Sequence, residues 1–150
     1  MGNVRDFDAM MWESRMNRPD AGKQYHAHLS NFAPKKLGKN PTIHSHVWVG
    51  DDVEIGDNVK IQAFAFIPNG VTIHNDVFIG PHVCFTNDRN PPSDRLDKTI
   101  VCDGARIGAN ATILPGIIIG AGALVGAGAV VTKTIPPGET WVGNPARKLK

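Results

Sequence analysis

Apolar residues recur along this chain at every sixth position. From Ile43 the series runs through Val49, Ile55, Ile61, Ile67, Ile73 and Ile79 to Phe85. It breaks at a polar, proline-rich stretch and resumes as Val101, Ile107, Ile113, Ile119, Val125 and Val131. About a quarter of the chain is Ile, Val, Leu or Phe, so fourteen apolar residues in these fourteen positions are not chance. Four residues after each anchor except Phe85, where the series breaks, stands a second apolar residue: Val47, Val53, Val59, Ala65, Val71, Val77 and Val83, then Ala105, Ala111, Ile117, Ala123, Ala129 and Ile135. That second residue lies two before the next anchor, and residues two apart on a strand point to the same side. Each hexapeptide is therefore a short strand with two inward side chains followed by a turn. Glycine often follows the anchor, as at Gly50, Gly56, Gly80, Gly108, Gly120 and Gly126, which suits corners where φ is positive or where a neighbour approaches closely.

Three hexads close a triangular coil of eighteen residues, and coils stack at the ordinary strand spacing of ~4.8 Å. The expectation is an all-β protein, a parallel β-helix of about five coils and roughly 22 Å tall, in which the stack supplies the core that no single coil could make. The repeat occupies 41–150. Residues 1–40 form an N-terminal cap or extension. Asp8 followed by Ala9, Met10, Met11, Trp12 and Glu13 can start a short helix that Pro19–Gly22 would end, and Trp12 and Tyr25 are read as capping residues over the open sheet edge. The break between Phe85 and Val101 is an insertion of ten residues, a loop over 87–100 whose Asn87, Asp88, Arg89, Asn90, Pro91, Pro92, Ser93, Asp94 and Arg95 cannot continue a strand. A polar loop thrown out of a rigid scaffold is where function concentrates.

Composition narrows the class. A net charge of +2 argues against a nucleic-acid surface. Met1–Asp8 has no apolar core of a signal peptide, and no run reaches the length of a membrane span. Cys84 and Cys102 flank the anchors Phe85 and Val101 and fit structural thiols of a reduced, cytoplasmic protein. The spaced glycines of Gly120–Gly128 fall in hexad register and continue the repeat, so they are not a dinucleotide-binding fingerprint.

Over 41–149 the chain resembles the hexapeptide-repeat acyltransferases, and most closely the branch that N-acetylates nucleotide-linked amino sugars. The segments that carry this are Asp57–Gln62, Val77–Pro91, Gly104–Gly116, Val125–Lys133 and Val142–Arg147. The last three are shared across the superfamily, whereas the Phe85-Thr86-Asn87 start of the loop, with Asn90-Pro91, favours the amino-sugar branch. Galactoside and maltose O-acetyltransferases place a catalytic His where this chain has Asn90. The chain departs from the amino-sugar pattern at Ala63-Phe64 and at Pro92, both in the acceptor pocket that the family implies. The resemblance implies a left-handed coil and a homotrimer with sites between subunits. It implies acetyl-CoA as donor, a nucleotide-linked sugar as acceptor, and a place in surface-polysaccharide synthesis. Acceptor contacts are then expected from Phe64, Thr86, Asp88, Arg89 and Asn90. Cofactor contacts are expected from Gly126, Ala127 and Gly128 and from the cations Lys133, Arg147 and Lys148, since Lys and Arg commonly bind phosphates.

Acyl transfer from a thioester needs a neutral nucleophile, a donor for the tetrahedral oxyanion and a proton for the leaving thiolate. Backbone N–H groups at coil corners can serve the oxyanion. The candidate bases are His44, His46, His74 and His82. His46, Phe64 and His82 are spaced by eighteen and form one vertical column, and His82 lies on the rung leading into the loop. His82 is the expected general base. An amine can instead pass its proton directly to the thiolate, and Asn87 then becomes the orienting residue. Sugar O-acetylation and a purely structural hexapeptide scaffold are the alternatives. A zinc site like that of the γ-type carbonic anhydrases is not expected, because the position five after His82 is Asn87 and no His-x4-His pair exists.

Overall fold

The structure is a computed structural model that describes residues 24–25 and 31–150; the helix expected after Asp8 and the capping side chains of Trp12 and Tyr25 lie outside the described residues. The chain winds as a parallel β-solenoid with three faces. Face I stacks Gln24–Tyr25, Thr42–Ile43, Lys60–Ile61, Phe78–Ile79, Arg106–Ile107, Leu124–Val125 and Thr140–Val142 in parallel, and the antiparallel strand Arg147–Lys148 closes it. Face II stacks Trp48–Val49, Phe66–Ile67, Cys84–Phe85, Thr112–Ile113 and Val130–Val131. Face III stacks Lys36–Leu37, Glu54–Ile55, Val71–Ile73, Thr99–Val101 and Ile118–Ile119. The chain visits the faces in the order I, II, III.

Register confirms the repeat and its interruption. Ile43 pairs with Ile61 and Val49 with Ile67, one coil of eighteen residues apart. Across the insertion Phe85 pairs with Ile113, a coil lengthened by ten residues. Every hexad anchor and every second apolar position is 0–3% exposed, and together with Ala146 they are the whole buried hydrophobic core among the described residues. Burying such side chains fully is worth about 1.5–3 kcal/mol each, which is why the period of six dictates the fold. One inward position breaks the pattern. Thr99 stands between Val71 and Ile117 in the interior column, is 1% exposed, and its hydroxyl has no hydrogen-bond partner.

The coil count is about six, not five. Leu37 lies six residues before Ile43 and pairs with Ile55, and Gln24–Tyr25 pairs with Thr42–Ile43. The polar Asn31 hides this extension in the sequence: its backbone carbonyl accepts from Val49 N–H and its side-chain amide donates back to the Val49 carbonyl. At the other end Val125 pairs with Trp141, so the last coil is two residues short and loses the six-residue phase.

The three edges differ in chemistry. The III/I edge is a ladder of short polar side chains: Asn40 donates to Asn58 and Asn58 to Asp76, all three at positive φ, which Asn and Asp tolerate well. At the I/II edge the stacked coils come so close that a Cβ on Gly108 would lie 2.5 Å from the Ala127 nitrogen. The II/III edge throws out the inserted loop.

Candidate functional site

The I/II edge carries the first group of candidate residues. His46, Phe64 and His82 occupy equivalent corners at φ of 59°, 64° and 57°. Bulky residues are strained there, at about 1–2 kcal/mol each. Their rings stack along the solenoid axis. The His46–Phe64 centroids are 4.8 Å apart with planes 11° from parallel, and Phe64–His82 are 4.9 Å apart at 8°. The column expected from the eighteen-residue spacing is thus a continuous ring stack, with all three side chains exposed. Above His82 the same corner is taken by Asn110 and then Gly128, also at positive φ, and a Cβ on Gly128 would meet nothing within 4 Å. The edge therefore brings His82 and Phe64 into line with Gly126, Ala127 and Gly128, over an open step.

The II/III edge carries the second group. Thr86 Oγ1 donates to the Ile113 carbonyl at 3.1 Å, and Asn87 Nδ2 donates to the Asn69 carbonyl at 2.9 Å. Asn87 thus anchors the loop to the coil below. Asp88 folds the loop tip: its carboxylate accepts from Asn90 N–H at 2.9 Å, Ser93 N–H at 2.6 Å and the Ser93 hydroxyl at 2.8 Å. Slight desolvation pushes the Asp88 carboxyl up, but the bonds from Ser93 and Asn90 outweigh it and hold its pKa below the ordinary aspartate value. Arg89 donates through Nη2 to the Pro115 carbonyl at 3.0 Å and through Nε to Asp97 at 3.2 Å. Between the loop and the next corners lies a groove of about 290 Å³, lined by Thr86, Asp88, Arg89, Pro115, Thr132 and Lys133 among others. Three expected acceptor residues and one expected cofactor cation therefore meet in one groove. Asn90 is exposed and lies outside it, on a smaller hollow with Ser93 and Arg95.

The two groups do not meet within one chain. His82 and Asn87 sit at opposite ends of the strand Cys84–Phe85, on different edges: the rung that begins at His82 leads into the loop, but the width of a face lies between the two. Between them the outside of face II presents Trp48 stacked on Phe66 at 4.8 Å, then Cys84, Thr112 and Val130. Burial pushes the Cys84 thiol pKa up, so it is a poor nucleophile. The C-terminal cations lie elsewhere again. Arg147–Lys148 runs antiparallel to Trp141–Val142 on face I. Lys148 Nζ pairs with Glu139 at 2.7 Å, and Trp141 Nε1 donates to the other Glu139 oxygen at 2.8 Å; these two bonds hold the Glu139 carboxyl below its usual range. Arg147 Nη1 donates to the Ala146 carbonyl. Among the described residues no group of three His, Cys, Asp or Glu could hold a metal ion, and no helix is long and apolar enough to cross a membrane.

Asp97 supports the loop groove and was not visible in the sequence: unlike Pro115 and Gly116, which stay in hexad register, it follows no period, and only the loop's path over the next coil brings it in.

Comparison with known proteins agrees with this architecture. A solved variant of AntD, an N-acyltransferase from Bacillus cereus, in complex with dTDP and coenzyme A, superposes with a TM-score of 0.75 over 93% of this chain and 87% of its own, at 20% identity. A variant of GDP-perosamine N-acetyl transferase from Caulobacter crescentus, solved with CoA and GDP-perosamine, matches over 100% of this chain and 67% of its own, with a TM-score of 0.74 and 22% identity. At these identities the likeness is one of fold. In sequence, serine acetyltransferase 2 of Arabidopsis thaliana is 37% identical over 110 residues; the match takes in 72% of this chain but spans only 32% of that relative. The family model described as bacterial transferase hexapeptide (six repeats) matches residues 34–69, 52–87 and 98–133, more than half of the chain, and the chain belongs to that hexapeptide transferase family.

Proposed function

We propose that the chain is an acetyl-CoA-dependent acetyltransferase whose acceptor is the amino group of a nucleotide-linked sugar, working in the cytoplasm in surface-polysaccharide synthesis. The observation that carries this reading is the loop groove, where Thr86, Asp88 and Arg89 face Lys133. A polar loop wall suits a sugar, and a free cation across from it suits a phosphate. The names of the structural neighbours, which act on or bind nucleotide-linked ligands and CoA, support the same class.

In this reading the neutral amine attacks the thioester carbonyl carbon, a C–N bond forms and the C–S bond breaks. The amine gives up one proton, either to His82, which passes it on to the departing thiolate, or directly to that thiolate, so the thiol leaves protonated. Gly126 and Gly128 N–H are already bonded to the Trp141 and Ala109 carbonyls, so the Ala127 N–H is the amide of that turn left to hold the oxyanion. These parts lie on two edges of one chain, so the reading requires a homotrimer in which the I/II edge of one copy meets the II/III edge of the next. Trp48, Phe66 and Phe64, 37%, 40% and 50% exposed, would then be covered at the interface. O-acetylation of a sugar hydroxyl is the second reading. It is favoured by the exposed His82 imidazole, since a hydroxyl needs a base where an amine does not.

The test is thiol release from acetyl-CoA with a panel of nucleotide amino sugars and their hydroxyl counterparts, alongside light scattering. Turnover confined to amino acceptors, by a particle about three times the 16.2 kDa chain mass, is the expected result. Turnover confined to hydroxyl acceptors selects the second reading. An active monomer removes the shared site, and no acetyl-CoA binding at millimolar concentration leaves only a structural role.

A further inference from the structure

Asp97 played no part in the expected site, yet the loop is organised around it. Its backbone N–H donates to the Asn87 carbonyl at 2.8 Å and so closes the loop at its base. Its carboxylate takes Arg89 Nε at 3.2 Å from the outgoing arm and Arg95 Nε at 3.5 Å from the returning arm. The carboxylate side chain is only 20% exposed, while the two arginine side chains are 66% and 89% exposed. Asp97 is therefore the fixed point and the arginines are the parts held.

The pair is seated on the next coil. Gly116 turns the corner at φ +74°, and a Cβ there would lie 3.3 Å from Arg89 Nη2, 3.5 Å from Asp97 Cβ and 3.7 Å from Asp97 Oδ2. The missing side chain leaves room for Arg89 to reach the Pro115 carbonyl, the contact that ties the loop to the floor of the groove. With Asp97 balancing Arg89 and Arg95, Lys133 is the groove cation without an ion-pair partner among the described residues.

We infer that Asp97 is a positioning residue that sets acceptor recognition: by holding Arg89 and both arms of the loop against the Pro115–Gly116 corner, it fixes the wall against which the sugar binds. This rests on the reading of the groove as the acceptor site. It assigns the binding role of the loop to a residue that need not touch substrate, and it makes the Arg89 position conditional on Asp97. An isolated exposed ion pair would be worth little. Here one carboxylate holds both arms of the loop and packs on a glycine corner, so losing its charge loosens the two arms together even though the backbone bond to Asn87 stays.

The experiment uses Asp97→Asn, Asp97→Glu and Gly116→Ala in the full chain. The readouts are hydrogen exchange over residues 88–96, calorimetric acetyl-CoA binding, and steady-state kinetics with the best acceptor of the wild type. Asp97→Asn should speed loop exchange at least tenfold and raise acceptor KM about tenfold or more. Its kcat should stay within about threefold, and acetyl-CoA affinity should not change. Gly116→Ala, which crowds the pair from the other side, should reproduce the KM effect, and Asp97→Glu should recover part of it. Unchanged loop exchange in Asp97→Asn would overturn the clamp, whatever the activity. Faster exchange with unchanged acceptor KM would overturn the link to recognition. If the wild type turns over no acceptor, the acetyltransferase reading falls, and the exchange arm still decides whether Asp97 holds the loop.

Discussion

Replacing Phe64 by Asn separates what the ring column does for stability from what it does for chemistry. Phe64 lies between His46 and His82 at 4.8 and 4.9 Å, so the change removes two stacked pairs. Aromatic pairs contribute about 0.5–1.5 kcal/mol each beyond area burial, a total loss of about 1–3 kcal/mol. Against this, Phe64 holds φ at 64°, and Asn occupies the same corner two coils on, as Asn110 at 59°. Relief of left-handed strain returns about 1–2 kcal/mol. The two terms nearly cancel, and a net loss of about 1 kcal/mol lowers Tm by about 2–4 °C for a chain of this size. The exposure of the ring, 50%, means that little core area is lost besides. Catalysis has no such compensation. His82 loses the flat surface that fixes its imidazole, and the energy of one pair corresponds to a drop in kcat of roughly 2- to 12-fold. Calorimetry and initial rates on the purified variant measure both. An unchanged kcat would show that the stack does not orient a catalytic base. A fall in Tm of 10 °C or more would show that the column is a structural strut and that the strain argument is wrong.

Thr99→Val should stabilise the protein by about 1–2 kcal/mol in denaturant melts, because the hydroxyl is buried without a partner and Val fits the same inward column; a destabilised variant would mean that the hydroxyl is bonded after all. Lys133→Ala should weaken acetyl-CoA binding about tenfold by calorimetry, whereas Lys148→Ala should change it less than twofold, since Lys148 is already paired with Glu139. Equal losses in the two variants would count against the groove. The folded Asp88 pKa is depressed, so its bonds to Ser93 and Asn90 hold the loop tip fully above the ordinary aspartate pKa. They are lost as pH falls through the lower folded value. Loop exchange should therefore stay slow down to about pH 4 and accelerate below it, and Asp88→Asn should abolish that step.

The solenoid was legible because its signal is periodic. Ile43 to Val131 in steps of six fixes strand, inward face and coil length at once, and all of these residues are buried. What was missed lies where the period is broken by chemistry rather than by a change of fold. Asn31 keeps its place in the first coil through hydrogen bonds to Val49 instead of apolar burial. The last coil keeps its pairing, Val125 with Trp141, with two residues fewer. Spacing also gave the His46–Phe64–His82 column, since stacking depends only on register. It could not give Asp97, whose partners Arg89 and Arg95 are chosen by the path of an irregular loop. Nor could it show that Asn87 spends its side-chain amide on the Asn69 carbonyl, which makes it an anchor of the loop before any contact with substrate.

The geometry of a triangular coil explains why no single chain gathers every part of the proposed machinery. Residues eighteen apart stack on one edge, so an edge can present a column but not a cleft. Neighbouring edges are separated by the width of a face, here the strand Cys84–Phe85 between His82 and Asn87. A rigid parallel stack cannot bend to bring its edges together, because every strand between the two ends of a column is paired on both sides. Two routes to concavity remain. One is a loop that leaves the edge and folds back, as 86–98 does over Pro115 and Gly116 to make the groove with Lys133. The other is a second copy laid alongside, turning two convex edges into one cleft. The loop supplies a wall and a coil corner supplies the cation Lys133; His82 and the Gly126–Gly128 turn remain on the far side of an exposed aromatic face. In the proposed trimer that face would be buried against a neighbour, which would serve both the proposed chemistry and the exposed Trp48 and Phe66. On this reasoning, mixing His82→Ala chains with Asn87→Ala chains should restore activity above that of either variant alone, because some interfaces in the mixed assembly would receive an intact edge from each.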